Sequence, residues 1–401
     1  MNIRDLIGKQ RLYFDGGMGT LLQSKGLTAG ELPELWNLTN PDVITEIHKS
    51  YFDAGSNIIN ANTFGANCLK FDNYEEIIAA AVVNAKKAVA EYEGDREKCF
   101  IALDIGPTGK MLEPLGDMKF EEAVEVFRKT AVLGEKYGAD LIIVETMNDS
   151  YETKAAVLTC KESTSLPVFV SNVFDENRKL MTGADPKAMI AMLEGLGADA
   201  IGMNCSLGPK QMMGVADEYM KYASVPVLVQ PNAGMPRSEN GKTVFDVTAD
   251  EFSDIMREIA LMGVSFLGGC CGTTPEYIRM TVEKTKDLPY TVPENKNITM
   301  VSSYTHAVEI GSVPVLIGER INPTGKPKFK QALREGNIGY ILSEGIAQQE
   351  KGVHILDVNV GLPEINEAVM LTEAVCELQA VTALPLQIDT ANPAAMESAL
   401  R

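Results

Sequence analysis

Eight short apolar runs, separated by segments of helical periodicity, constrain this chain of 401 residues most. They lie at 11–15, 57–61, 100–104, 141–145, 168–172, 200–204, 225–230 and 264–268. Several are unbroken, such as Leu141-Ile142-Ile143-Val144. A strand without polar alternation is covered on both faces, as in a parallel sheet. Between the runs, 41–54 and 75–92 repeat apolar residues at helical spacing. Asn40-Pro41, Asp185-Pro186 and Thr274-Pro275 each set a capping side chain before a proline at the first helical position. Eight strands alternating with helices predict an α/β fold, a (β/α)8 TIM barrel. An open doubly wound sheet has the same periodicity and is the alternative.

Beyond the barrel pattern the chain changes character. Residues 286–310 carry Pro289, Pro293, Asn295 and Asn297 and read as a linker with some local strand. A second alternation follows, with strands at 314–318, 354–358 and 386–389 and helices near 328–335, 338–351 and 365–381. Asn392-Pro393 opens a further helix. Three strands cannot close a parallel barrel, so 311–401 is expected to be an incomplete second β/α domain after a barrel over 1–285.

Composition excludes some partners. The net charge of −19 disfavours nucleic acid, because phosphate binding needs excess Lys and Arg. No apolar run approaches a membrane span, and the first residues lack the apolar core of a signal peptide. Seven cysteines without framework spacing suit a reducing compartment, so a cytoplasmic location is expected.

Three of those cysteines carry the chemistry. Cys205 ends Gly202-Met-Asn-Cys, and Cys270-Cys271 sit in Gly268-Gly-Cys-Cys-Gly-Thr273. Both stretches follow strands of the alternation, where a barrel keeps its active site. Three thiolates meeting at that rim would hold zinc and leave a fourth position open, as in a catalytic site. Asn232, past the seventh strand, could fill that position through its amide oxygen until substrate arrives. The competing reading is buried or redox-active thiols, since free cysteine is often a small core residue. Asp15-Gly16-Gly17-Met18-Gly19-Thr20 could bind an anion through backbone N–H groups but matches no phosphate fingerprint. Asp15, Asp104 and Glu145 end strands one, three and four, where carboxylates could hold an ammonium group. An N–H nest with carboxylates suits a zwitterionic amino acid. The bland alternative is that these acids are turn or capping residues.

These residues resemble the homocysteine S-methyltransferase family. The resemblance rests on Asp15-Gly-Gly-x-Gly-Thr20, Asn62-Thr-Phe-Gly65, Asp104-Ile-Gly-Pro-Thr108, Gly202-x-Asn-Cys205, Pro231-Asn-Ala-Gly234 and Gly268-Gly-Cys-Cys-Gly-Thr273. It implies zinc on Cys205, Cys270 and Cys271, homocysteine bound through sulfur, Asp15 and Glu145 at its amino group, and Asn232 in the substrate-free position. Ile317-Gly-Glu-Arg-Ile-Asn-Pro-Thr-Gly325, Leu356-Asp-Val-Asn359 and Leu386-Gln-Ile-Asp389 are similar to the start of a pterin-binding barrel. There Glu319, Asn322 and Asp389 match pterin-contacting positions, with Asp357 and Asn359 as weaker candidates. This order of domains resembles the cobalamin-dependent methionine synthases. The resemblance then implies methylcobalamin as direct methyl donor, methyltetrahydrofolate as ultimate donor, and a cobalamin-binding module beyond a chain expected to be a fragment. A donor such as betaine or S-methylmethionine, or a non-catalytic zinc or amino-acid binding fragment, are the alternatives.

Overall fold

A computed structural model describes residues 1–28, 30–239 and 242–401. The chain forms two compact units, Met1–Thr182 with Met192–Lys296, and Asn297–Arg401 with Gly183–Ala191. In the first unit the strands are β1 (Leu12–Tyr13), β2 (Ile58–Asn60), β3 (Phe100–Ile105), β4 (Leu141–Met147), β5 (Val168–Asn172), β6 (Ala200–Asn204) and β7 (Val227–Gln230). A hairpin, β8 (Arg237–Glu239) and β9 (Lys242–Val244), comes before β10 (Phe266–Leu267). All strands but the hairpin join one parallel sheet in the order β1-β10-β7-β6-β5-β4-β3-β2.

The sheet closes on itself. Phe14 and Ile58 form a parallel bridge, and the Asn57 backbone N–H donates to the Tyr13 carbonyl at 2.7 Å. Closure excludes the open doubly wound sheet. The interior is an apolar plug that includes Phe14, Phe169 and Phe266, with ring centroids 4.7–6.2 Å apart. Ile3 joins the plug from the N-terminal segment. Edge-on and tilted ring pairs of this kind add about 0.5–1.5 kcal/mol each to the burial of their area.

Several sequence expectations shift. The first and eighth strands shrink to two residues, because only those positions lie in register with their neighbours. Asn40 and Thr274 make no side-chain caps, although Pro41 and Pro275 do begin helices. The antiparallel pair of 237–239 with 242–244 has no counterpart among the expected elements. Residues 286–296, expected as linker, belong to the barrel unit. The Arg11 guanidinium gathers the carbonyls of Thr285, Leu288 and Pro289 at 3.0–3.4 Å, and Ser224 Oγ accepts the Lys296 N–H.

The second unit holds an antiparallel pair, β11 (Thr299–Ser302) and β12 (Ala307–Ile310), and a parallel sheet of β13 (Ile317–Ile321), β14 (Ile355–Val358) and β15 (Leu386–Ile388). The strand expected at 314–318 lies further along, because Ile317, not Pro314, is in register with Ile355. Helices Pro327–Arg334, Ile338–Glu350, Glu367–Val381 and Pro393–Leu400 complete the unit. Its core includes Ile321, Phe329, Val358 and Leu371. Among the described residues no helix is long and apolar enough to cross a membrane.

Candidate metal centre and amino-acid pocket

Strand parity builds the rim. Inward positions alternate along a strand, so residues two beyond the plug also face the barrel axis. The plug positions Ile58, Ala102 and Ile143 are followed in that parity by Asn60, Asp104 and Glu145. The change from apolar to polar occurs at the C-terminal ends, where connecting loops rather than packed side chains surround the axis.

Cys205 follows β6, and Cys270 and Cys271 follow β10. Their three sulfurs lie within 4.8 Å of one another, with Cys205 and Cys271 4.0 Å apart. Zinc–sulfur bonds of ~2.3 Å at tetrahedral angles place sulfurs about 3.8 Å apart. The spacing and the soft donor set therefore fit a zinc ion. Among the described residues no other His, Cys, Asp or Glu joins the group, so three protein ligands leave room for a fourth. All seven cysteines are free thiols.

Backbone bonds between loops set this geometry. Cys205 N–H donates to the Gln230 carbonyl at 3.1 Å, Cys270 N–H to Pro231 at 2.8 Å, and Ala233 N–H to Cys271 at 2.9 Å. Cys205 and Ser206 adopt left-handed backbone, φ 57° and 49°, a conformation costing of order 1 kcal/mol or more for such residues. Ser206 Oγ holds the turn by donating to the Phe174 carbonyl. Without metal the thiols ionise unequally. Hydrogen bonds from Cys270 and Cys271 draw the Cys205 thiol down, and the same contacts, with burial, push Cys270 and Cys271 up.

The Asn232 amide oxygen accepts the Cys271 backbone N–H at 3.1 Å, and its side chain helps lower the Cys205 thiol. Asn232 thus lies beside the cysteine loop, with one lone pair of its oxygen engaged there. One N–H of the glycine loop is taken up within the protein. Gly17 N–H donates to Thr273 Oγ1 at 3.1 Å, and Thr20 Oγ1 accepts the Gly272 N–H at 2.9 Å. Met18, Gly19 and Thr20 open a short helix, Met18–Ser24. A Cβ on Gly16 would meet Thr273 Oγ1 at 2.6 Å, so these glycines let two loops pack closely.

Three carboxyl groups cluster on the same rim. Asp15 Oδ2 accepts the Asn60 N–H at 2.9 Å, and Glu145 Oε2 accepts from Asn60 Nδ2 at 3.3 Å. Asp104 is buried and its Oδ1 has no partner. Burial pushes Asp15 and Asp104 well above the carboxylate range, and the charge of Glu145 adds to both. Burial, with Cys205 nearby, pushes Glu145 up to about 8. A desolvated cluster of acids with an unused oxygen is suited to a cation.

The pterin candidates cluster in the second unit at the ends of β13 to β15. Burial raises Asp357, and the charges of Asp389 and Glu319 add to it. Asp389 accepts from Asn359 Nδ2 at 2.9 Å, Glu319 pairs with Lys326 at 3.3 Å, and Asn322 Oδ1 accepts the Thr324 N–H at 2.8 Å. Sequence reasoning assigned no role to Asn60, Thr146, Asn204 or Thr273. Inward parity could have found Asn60, and Asn204 and Thr273 stand inside motifs already singled out.

A family model described as homocysteine S-methyltransferase matches residues 12–285. The whole chain is similar to methionine synthase of Mycobacterium leprae (strain TN), 30% identical over 426 residues, and to methionine synthase of Mycobacterium tuberculosis (strain ATCC 25618 / H37Rv), 28% identical over 419. It covers 35% of each, so it spans about a third of these relatives. Among solved structures, the homocysteine methyltransferase MmuM from Escherichia coli matches in its metallated and apo forms with TM-scores of 0.59 and 0.57. Identity there is 22%, over 70% of this chain and 99% of the other, and the likeness shows the fold.

Proposed function

Because the chain belongs to the homocysteine S-methyltransferase family, we propose that its barrel rim binds homocysteine as methyl acceptor, with zinc held by Cys205, Cys270 and Cys271. The convergence of three sulfurs within 4.8 Å carries this reading. When bound, zinc supplies the Lewis acidity that lowers the pKa of a fourth, incoming sulfur. The chain's own groups bind and orient. Glu145, Asp15 and Asp104 receive the ammonium group. The apolar plug closes the barrel beneath the pocket. The cross-bonded loops hold the acceptor sulfur in one position, which lowers the entropic part of the barrier.

The direct donor in this proposal is methylcobalamin, and the ultimate donor is 5-methyltetrahydrofolate. Two observations support it. Similarity to methionine synthases covers the whole chain, including the second unit, which a one-barrel enzyme does not need. The second unit also gathers Glu319, Asp357 and Asp389 at one end of a parallel sheet. Glu319, Asn322 and Asp389 would contact the pterin ring, and a cobalamin-binding module would be the partner domain. The location in this reading is cytoplasmic.

The test is Cys205→Ala, with zinc content and homocysteine binding measured. Retention of both sinks the proposal. Methylcobalamin demethylation by the chain with homocysteine then tests the donor. Methyl transfer from S-methylmethionine without corrinoid would reassign it, and demethylation at the no-protein rate with binding intact would leave a binding fragment.

A further inference from the structure

Asn204 lies one residue before Cys205, at the end of β6, with 1% of its surface exposed. Its side chain is hydrogen-bonded on every side. Oδ1 accepts the Thr146 backbone N–H at 2.9 Å and the Ser171 hydroxyl at 2.7 Å. Nδ2 donates to Thr146 Oγ1 at 2.7 Å and is 3.9 Å from Cys270 Sγ. An amide offers two N–H donors and one oxygen with two lone pairs, so this residue uses its full capacity. Such saturation in a buried site fixes one rotamer.

Thr146 also carries information. It follows Glu145 and has φ 59°, a left-handed conformation rare for a β-branched residue. The strand irregularity falls here, between Val144 and Met147. Two of the four contacts of Asn204 go to Thr146, one to its backbone and one to its hydroxyl. The same amide therefore holds the strand end that presents Glu145 and faces one of the three sulfurs.

We propose that Asn204 is a positioning residue that donates an N–H···S hydrogen bond to the Cys270 sulfur and locks the metal site to the amino-acid pocket. The inference rests on the zinc reading above. An N–H bond to a coordinating thiolate withdraws charge from sulfur and fixes its direction. Outer partners of this kind typically change metal affinity by about 10–100-fold when removed.

Asn204→Asp tests this, because it keeps one oxygen for Thr146 and Ser171 but loses both N–H donors. Zinc affinity is measured by chelator competition, and the cobalt(II)-substituted protein gives the sulfur-to-metal charge-transfer band. The expected result is a 10–100-fold loss of zinc affinity and a shift of the band to lower energy, with stoichiometry unchanged. Ser171→Ala removes a bond on the opposite side of the same amide and should leave the band in place. Equal band shifts in the two variants would mean that Asn204 acts only as packing, and would overturn the inference.

A measurement on the unaltered protein covers the case in which Asn204→Asp does not fold. With cadmium-113 in the site and nitrogen-15 in the chain, a scalar coupling should link an Asn204 side-chain amide proton to the metal. Its absence, while other N–H···S couplings are visible, overturns the inference alone. A chain that takes up no metal overturns the zinc reading and the inference together.

Discussion

Gly17 and Gly19 stand two residues apart in one loop, and the structure assigns them opposite responses to alanine. Gly17 has φ −66° and ψ 97°, which any residue adopts, so backbone strain does not enter. Its added Cβ would lie 2.8 Å from the Cys270 carbonyl oxygen and 2.8 Å from Thr20 Oγ1. The carbonyl cannot retreat freely, because it accepts Thr273 Oγ1 at 2.7 Å and Thr273 N–H at 3.2 Å. Inserting a methyl into such a site costs about 1–3 kcal/mol. The displacement falls on the residue that carries one of the three sulfurs. Gly19 lies inside the helix Met18–Ser24, and its Cβ would meet nothing within 4 Å. Alanine there gains up to about 1 kcal/mol of helix propensity. Gly17→Ala should therefore unfold at lower temperature than Gly19→Ala, by roughly 2–4 °C for each kcal/mol that separates them. It should also bind zinc more weakly, while Gly19→Ala binds as the parent does. Calorimetry and chelator competition read both quantities. Parental zinc affinity and melting temperature in Gly17→Ala would refute the argument that loop contact aims Cys270.

Three further outcomes are expected. Asp104→Asn removes a buried carboxyl with an unpartnered oxygen, so it should hold or raise the melting temperature while weakening homocysteine binding at least about tenfold, the loss of one charged contact. Unchanged affinity would remove Asp104 from the ammonium site. Glu145 must be ionised to meet an ammonium group, so methionine, which has no thiol proton, should bind more tightly as pH rises toward 8, and Glu145→Gln should flatten that slope in calorimetry. His48 is fully buried with both ring nitrogens unpartnered, and burial lowers it from 6.5 to about 3. The unfolded chain then binds the extra proton, so stability present above pH 6.5 is lost as pH falls toward 3. The loss from pH 7 to 5 is about 2 kcal/mol. His48→Leu should remove one proton from the acid limb of a denaturation series, and an unchanged limb would contradict the burial argument.

Much of the barrel was legible because its strands are buried on both faces. Val168–Asn172 and Ala200–Asn204 occur where the apolar runs lie. Strand ends were less legible. β1 and β10 stop where register with a neighbour stops, and β13 starts at Ile317 because pairing with Ile355 sets it. Residue type pointed to caps at Asn40 and Thr274, yet neither side chain makes a cap hydrogen bond. Part of the glycine loop was hidden for a related reason. Its residue types allow an anion nest, but Gly17 N–H meets Thr273, which lies 256 residues away in the chain.

Local pattern alone determined the strand and helix alternation, the cysteine pair and the acids at strand ends, because each depends on residues within one turn or one strand. Barrel closure decided everything that depends on distance between strands. It brought Cys205 to Cys271, set Asn60 between Asp15 and Glu145, and turned Asn204 into the bond between Thr146 and Cys270. Such contacts join residues 45 to 85 positions apart, and their lengths follow from parallel register and closure, which no local periodicity encodes.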